Sequence, residues 1–524
     1  MEWLRGNRWR EAAMTLAEFK QSPWQKSHQT YKESALAISP APEYASSEVL
    51  VASLYRTIGF DSISEGGVPK AGRDLEGKLR KLHDKQQAIP DGAILDADAW
   101  SGVLHGVLES PKLPNQSSKR FLQVTPLVPS LSVFSGSARL SSNSWPAGSL
   151  VRRMAWLGSR DHDTALSLWK ELFSALEVGE DDDVFARWLE QETSSWGASP
   201  KWELAKVDPQ DVANFSIDDF EGVPFMPARQ FASDLRAIMK AKPSMTRRQW
   251  TSLLEAILRL SAVSHVTWLC DVQSRIWRCL LEAVDGNGPS GTEDVRDLVF
   301  PKNPQYMTYG GKALHGLKDK ASAYLTARLG INTLLWSLEE AGLPFHGSLS
   351  SSAGIAQLCT HVRENRGALD AMGVRMTFSD LREREARALN CKKGIGANIL
   401  EFSRHALGQR QTASQLLRGY DQGYVLKKRG SSPSSPWIVA LGPVSILALV
   451  HCSLAGMGGP RSIHRLEQHL AAYGVVIDRH DIARNDLGQQ LRMLGLVLDS
   501  PDAESGMLLL PPFPSSNQSL DKKE

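Results

Sequence analysis

The chain has 524 residues, with 60 Lys+Arg against 58 Asp+Glu, 42% hydrophobic content and 23% charge. Those values exclude global disorder and leave room for about three domains. A net charge of +2 excludes binding of polyanions by bulk charge, so any nucleic-acid surface must be a local patch.

The first hundred residues contain helical pieces at Trp9–Lys20, Ser46–Ile58 and Leu75–Gln87, and residues 1–110 are expected to form an N-terminal helical region. Before them, the start MEWLRGNRWREAAM carries charge and no apolar core, so a secretory signal is not expected and a cytoplasmic location is. Residues 111–149 are rich in Ser and Pro and read as an extended linker. A Trp-rich helical domain is expected over 150–285, where Trp250, Leu253, Leu254, Ile257, Leu258 and Leu260 form a strong apolar stripe. Residues 286–430 read as a second helical domain, with Leu325, Leu329, Asn332 and Trp336 on one face of a helix at Lys312–Leu338. Its end is basic. The Ser/Pro run at 431–436 is expected to be an exposed hinge whose cleavage releases a folded C-terminal fragment. A compact unit over 437–513 and a polar tail over 514–524 complete the chain. The expected fold class is mainly α, multi-domain, with few short strands.

Residues 437–460 contain no Asp, Glu, Lys or Arg, yet Gly442-Pro443, His451 and a glycine cluster interrupt them. They read as a strand and a buried helix, and no membrane contact is expected.

Charge is partitioned. Residues 177–221 hold thirteen Asp/Glu against three Lys/Arg, and 380–430 hold eleven Lys/Arg against five Asp/Glu. The basic stretch suits phosphate, and the acidic one suits protein subunits as partners. In Arg418–Gly430, Tyr420 and Tyr424 stand beside Lys427, Lys428 and Arg429, so cations that neutralise phosphate alternate with rings that stack on bases. Lys392 and Lys393, before Gly394 and Gly396, add two phosphate contacts.

Catalytic motifs are missing. Gly310-Gly311-Lys312-Ala313 has neither the spacing nor the hydroxyl of a phosphate loop. Asn303-Pro304-Gln305-Tyr306 resembles a methyltransferase tetrapeptide but lacks a Gly-rich cofactor loop. The His-Asp pairs at 83, 162 and 480, and the trio His265, Cys270 and Cys279, lack complementary ligands at a metal spacing. No catalytic residue, metal or cofactor is therefore expected. The five cysteines, at 270, 279, 359, 391 and 452, include no CxxC pair and argue against a disulfide scaffold.

The C-terminal unit parses as a strand (Trp437–Leu441), a helix (Val444–Leu454), a second helix after Ser462, a short apolar connection (Val475–Ile477), a third helix (Arg479–Leu494, capped by Asp478) and a hairpin. This order resembles a winged-helix domain. The resemblance implies that the third helix enters the major groove, presenting Arg479, Arg484, Asn485, Gln489 and Arg492, with DNA a better fit than RNA. His480 lies on the same side. The wing departs from the pattern, since its tip carries Asp499, Asp502 and Glu504 and no base. The block containing GPVSILALVHC and DLGQQLRMLGLVLDSPDAESGMLLLPPF is also similar to uncharacterised accessory proteins of bacterial anti-phage defence gene clusters. The expected function is a non-catalytic nucleic-acid-binding or scaffold subunit of such a system. The alternative is an enzyme acting on nucleic acid, nuclease or methyltransferase-like, with a site assembled from distant residues.

Overall fold

The computed structural model describes residues 15–38, 47–60, 92–103, 107, 125–133, 147–196, 200–207, 217–391, 395–410, 420–430, 432, 434–478, 482, 485–499 and 507–513. Helices dominate and the strands are two or three residues long, so the chain is mainly α and multi-domain. Helices α1 (Leu16–Gln21), α2 (Ser47–Gly59), α3 (Ala147–Leu157), α4 (His162–Leu176), α5 (Val184–Ser194), α6 (Pro227–Ala241) and α7 (Arg247–Val284) precede strand β1 (Met307–Thr308). Helices α8 (Ala313–Glu340), α9 (Val374–Arg384), α10 (Ala386–Leu389) and α11 (Ile395–Leu407) lead to the hairpin β2 (Leu426–Lys428) and β3 (Trp437–Val439). The C-terminal block comprises α12 (Pro443–Ser453), β4 (Arg461–Ser462), α13 (His464–Ala471), β5 (Val475–Val476), α14 (Asp486–Met493), β6 (Val497–Asp499) and β7 (Met507–Leu509).

Two compact units result, each assembled from three stretches of sequence. One takes 1–39, 269–301 and 319–397; the other takes 40–268, 302–318 and 398–524. Three of the five boundaries fall inside α7, α8 and α11, and none falls in the 111–149 or 431–436 stretches that composition marks as linkers. Helix α7 explains part of this. It is apolar over a length that could cross a membrane, but its most apolar stretch is completely buried, which makes it a core helix.

In the first unit, Leu16 and Phe19 of α1 pack on Leu329 and Trp336 of α8 and Leu381 of α9. In the second, Phe60, Trp100, Leu189 and Trp196 surround Leu127, Val128, Leu131 and Val133. The described part of the expected 111–149 linker is therefore core. Its Ser and Pro serve a short helix, Pro129–Ser132, which Pro129 starts and where Ser132 Oγ donates to the Pro129 carbonyl at 2.7 Å. Residues 111–124 and 134–146 lie outside the described residues, as do Trp9 and the Leu75–Gln87 helix.

The acidic 177–221 stretch is not one solvated face. Asp182, Glu192 and Asp219 are buried. Asp182 meets Arg247, whose guanidinium also donates to the Leu127 and Glu177 carbonyls and the Tyr55 hydroxyl. Glu192 accepts from the Ile94 N–H at 3.0 Å and the Trp196 indole at 3.3 Å. These carboxylates satisfy buried donors that would otherwise lack partners. Asp208 and Asp211 lie outside the described residues.

Residues 431–436 are not an interdomain hinge either. The strands on both sides pair, Leu426 with Val439 and Lys428 with Trp437, and the Arg429 N–H donates to the Pro436 carbonyl at 3.0 Å. The described residues of the Ser/Pro run, 432 and 434–436, lie between the two strands of a β-hairpin. The block after it packs into the second unit through α12 on α6 and through β5, which lies parallel to β1 with Met307 opposite Val475. Gly474 makes that approach possible: its φ is +73°, and a Cβ there would fall 2.5 Å from Tyr306 Cδ2. We therefore expect a chain cut at a protease site inserted after Ser434 to stay in one piece on a native sizing column. Release of a separate C-terminal fragment would show that this packing is too weak to hold it.

Candidate nucleic-acid interface

The hairpin is positioned from beneath by a buried ion network. Arg259 of α7 binds Asp421 through two nearly parallel bonds, of 2.7 and 3.1 Å, and donates to the carbonyls of Ala406 and Gly408. Arg410 donates its backbone N–H to Asp421 at 2.8 Å and pairs through its side chain with Glu48 and Glu255. Burial alone would raise the Asp421 carboxyl, but the two guanidiniums outweigh it and hold the group well below the usual carboxylate range. The network fixes the described residues 406–410 and 420–424 against α7. From there Val425 donates to the Leu407 carbonyl, and β2 begins.

The chain between β1 and α8 adds a further strand-like edge. Gly310 N–H donates to Val439, and Val439 N–H returns to Gly311. Lys312 bridges Ile438, the residue that Lys427 faces on the other side. Residues opposite one another share a face of the sheet, so Lys312 and Lys427 flank Ile438 on one side. Arg429, two residues on, continues that side. Lys312, Lys427 and Arg429 are all exposed. Lys428 points the other way, its Nζ 5.6 Å from the Trp437 ring centroid, a cation–π contact that orients the hairpin. Tyr424 is buried, and Tyr420 is half-buried under the Arg410 guanidinium at 5.4 Å, so neither ring is laid open for stacking.

In the C-terminal block, β4, β7 and β6 form an antiparallel sheet in that order. The expected third helix, Arg479–Leu494, is interrupted: Ile482 is helical, Asn485 has an extended backbone, and α14 starts at Asp486. Asn485 Oδ1 caps it, accepting from the N–H groups of Leu487 and Gly488. Asn485 is therefore spent on the helix end and is not presented as a base reader. Leu487, Gly488 and Leu491 face inward, leaving Gln489, Arg492 and Met493 exposed, the last at 78%. Tyr309 donates to Asp486 at 3.1 Å, and burial together with that carboxylate pushes its hydroxyl far above the usual phenol value. This hydrogen bond ties the Lys312 segment to the start of α14. Lys392, Lys393, Arg479 and Arg484 lie outside the described residues, as do His480, Asp502 and Glu504.

Local sequence reasoning missed Lys312. The Gly-Gly-Lys run draws attention as a failed phosphate loop, and nothing near it signals a partner more than a hundred residues away. The other motifs are absorbed by packing. Tyr306 is buried against Phe225, with ring centroids 6.0 Å apart. His162 follows the α4 cap and accepts from the Trp156 indole at 3.3 Å. Burial lowers His265 to about 3 and raises Cys279 to about 11, which keeps both neutral at physiological pH. Among the described residues, no group of three or more His, Cys, Asp or Glu is placed to hold a metal ion. No protein-family model matches the sequence, and no curated protein matches it significantly.

Proposed function

We propose that the chain is a non-catalytic nucleic-acid-binding subunit that works with other proteins in the bacterial cytoplasm, in an anti-phage defence setting. The observation that carries the reading is the shared face of Lys312, Lys427 and Arg429: three exposed cations, brought together where the segment before α8 meets the β2–β3 hairpin. Cations so fixed neutralise successive phosphates and release counterions without ordering long loops. The block from α12 to β7 is read as a winged-helix-like module. Its order of α12, β4, α13, β5, α14, β6 and β7, and the β4–β7–β6 sheet, support that assignment, although β5 pairs outside that sheet, with β1. Within it α14 is the base-reading helix, with Gln489 suited to adenine and Arg492 to guanine or phosphate. DNA fits better than RNA, because the major groove of an RNA duplex is too deep and narrow for such a helix.

The test separates the two surfaces. Gln489→Ala with Arg492→Ala is expected to lower the preference for a selected duplex over a scrambled one by about tenfold or more, the value of a base contact. Affinity for the scrambled duplex should change little. Loss of a co-purifying protein, with sequence preference intact, would instead assign α14 to protein docking.

A further inference from the structure

The unit built from 1–39, 269–301 and 319–397 contains an open cavity of about 420 Å³. Ser322, Ala323 and Thr326 of α8 form one wall; Arg382 of α9, Ala386 and Leu389 of α10, and Asn390 form the other. That volume falls within the roughly 300–1,000 Å³ of small-molecule sites and exceeds what a bare ion fills. The lining holds a guanidinium, an amide, two hydroxyls and three apolar side chains, and no carboxylate.

The cation is available. Arg375 and Arg384, on the same helix as Arg382, pair with Asp285 and Glu385. Among the described residues no carboxylate pairs with Arg382, and its side chain is exposed at the cavity. The turn behind it is closely packed. Cys391 has φ +55°, the one positive value at a non-glycine among the described residues, and this turn follows directly on Asn390. Its Sγ lies 3.1 Å from Ser322 Oγ. Gly396 packs so closely behind that a Cβ would fall 2.5 Å from Cys391 Sγ and 2.7 Å from Leu325 Cδ1. The backbone turn that carries Asn390 is thus closely packed on α8, which lowers the entropic cost of binding there.

We propose that this cavity binds a small organic anion. Arg382 and Asn390 hold its oxyanion, and its apolar body lies on Ala323, Ala386 and Leu389. A planar guanidinium recognises both carboxylate and phosphate monoester, so the oxyanion is one of these two. The site shares no residue with the hairpin or α14, and it stands or falls separately from the nucleic-acid reading.

Calorimetric titration of the full chain with phenyl phosphate, benzoate, inorganic phosphate and benzylamine tests it. One aromatic anion is expected to bind saturably, one per chain, and more tightly than inorganic phosphate, because only it uses the apolar wall. Benzylamine is expected not to bind. A preference for phenyl phosphate or for benzoate names the oxyanion. Arg382→Gln should weaken the preferred anion about tenfold or more, whereas Arg387→Gln, an exposed arginine outside the lining, should leave it unchanged. Ala386→Phe, which fills the cavity from an exposed position, should abolish binding. Equal affinity in Arg382→Gln and the unaltered chain would overturn the proposal. So would the lack of saturable binding by either aromatic anion up to about 10 mM, a negligible affinity.

Discussion

Replacing Asp421 with Ala is expected to destabilise the protein by about 3 kcal/mol, the low end of the cost of removing one partner of a buried ion pair, because Glu255 still faces Arg259. Asp421 is 2% exposed, and Arg259 lies completely inside with it. The substitution removes both Asp421 bonds to the Arg259 guanidinium, leaving Glu255 at 3.6 Å as its carboxylate partner, and removes acceptors for the N–H groups of Arg410 and Gly423. Arg259→Lys should recover little, since an ammonium cannot make the paired bonds to both carboxylate oxygens. The pH dependence has a definite sign. The folded Asp421 carboxyl titrates below its unfolded value, so its contribution is complete above about pH 4 and fades as the pH falls further. Denaturant midpoints of the unaltered protein and Asp421→Asn should therefore converge in acid. A gap that stays constant from pH 7 to pH 3 would contradict the network. Because these bonds hold the base of β2, Asp421→Ala should also loosen the hairpin and weaken any binding that depends on it.

The second large effect is expected at Asp234. This buried carboxylate of α6 accepts from the Tyr473 hydroxyl at 2.7 Å, from Gln230 Nε2 at 2.7 Å and from His469 Nε2 at 2.9 Å. Gln230 Nε2 also lies 3.3 Å from His469 Nδ1, which places the proton of a neutral imidazole on Nε2. Asp234→Ala leaves three donors around a space with no acceptor, at about 1–3 kcal/mol for each group that stays buried. A total near 4 kcal/mol is expected. Tyr473→Phe, which removes a single donor, should cost about 1 kcal/mol. Since the cluster pins α13 onto α6, amide exchange should accelerate first in α13 and β5. A loss below about 1 kcal/mol in Asp234→Ala would mean that the cluster does not hold the C-terminal block.

Much of the helical framework was legible. The stripe from Trp250 to Leu260 marks α7, Leu325 to Trp336 marks α8, and Pro443 with the glycine cluster brackets α12 within a residue or two. Such signals are local, because a helix carries its hydrogen bonds within itself. What the sequence hides is pairing at a distance. Ser and Pro between Gly430 and Pro436 look the same in a linker and in a hairpin loop, and only the Leu426–Val439 pairing tells them apart. The Tyr306–Gly474 approach and the bridge from Lys312 to Ile438 leave no periodic trace. The acidic excess at 177–221 misleads for a related reason: Asp182 and Glu192 answer buried donors from Arg247 and Ile94 that composition cannot locate. For the interface, the basic residues of β2 were visible from sequence alone. Which of them share a face was not, nor was the burial of Tyr424.

The most direct test of the nucleic-acid reading is the salt dependence of duplex binding by the full chain. Fluorescence anisotropy with a short labelled duplex, from about 50 to 200 mM salt, gives the slope of log affinity against log salt. The variant Lys312→Gln/Lys427→Gln/Arg429→Gln should bind all sequences more weakly, and its slope should be shallower by about 2.7, or about 0.9 for each phosphate that is no longer neutralised. Identical slopes and affinities for the variant and the unaltered chain would contradict the assignment of this face to the phosphate backbone.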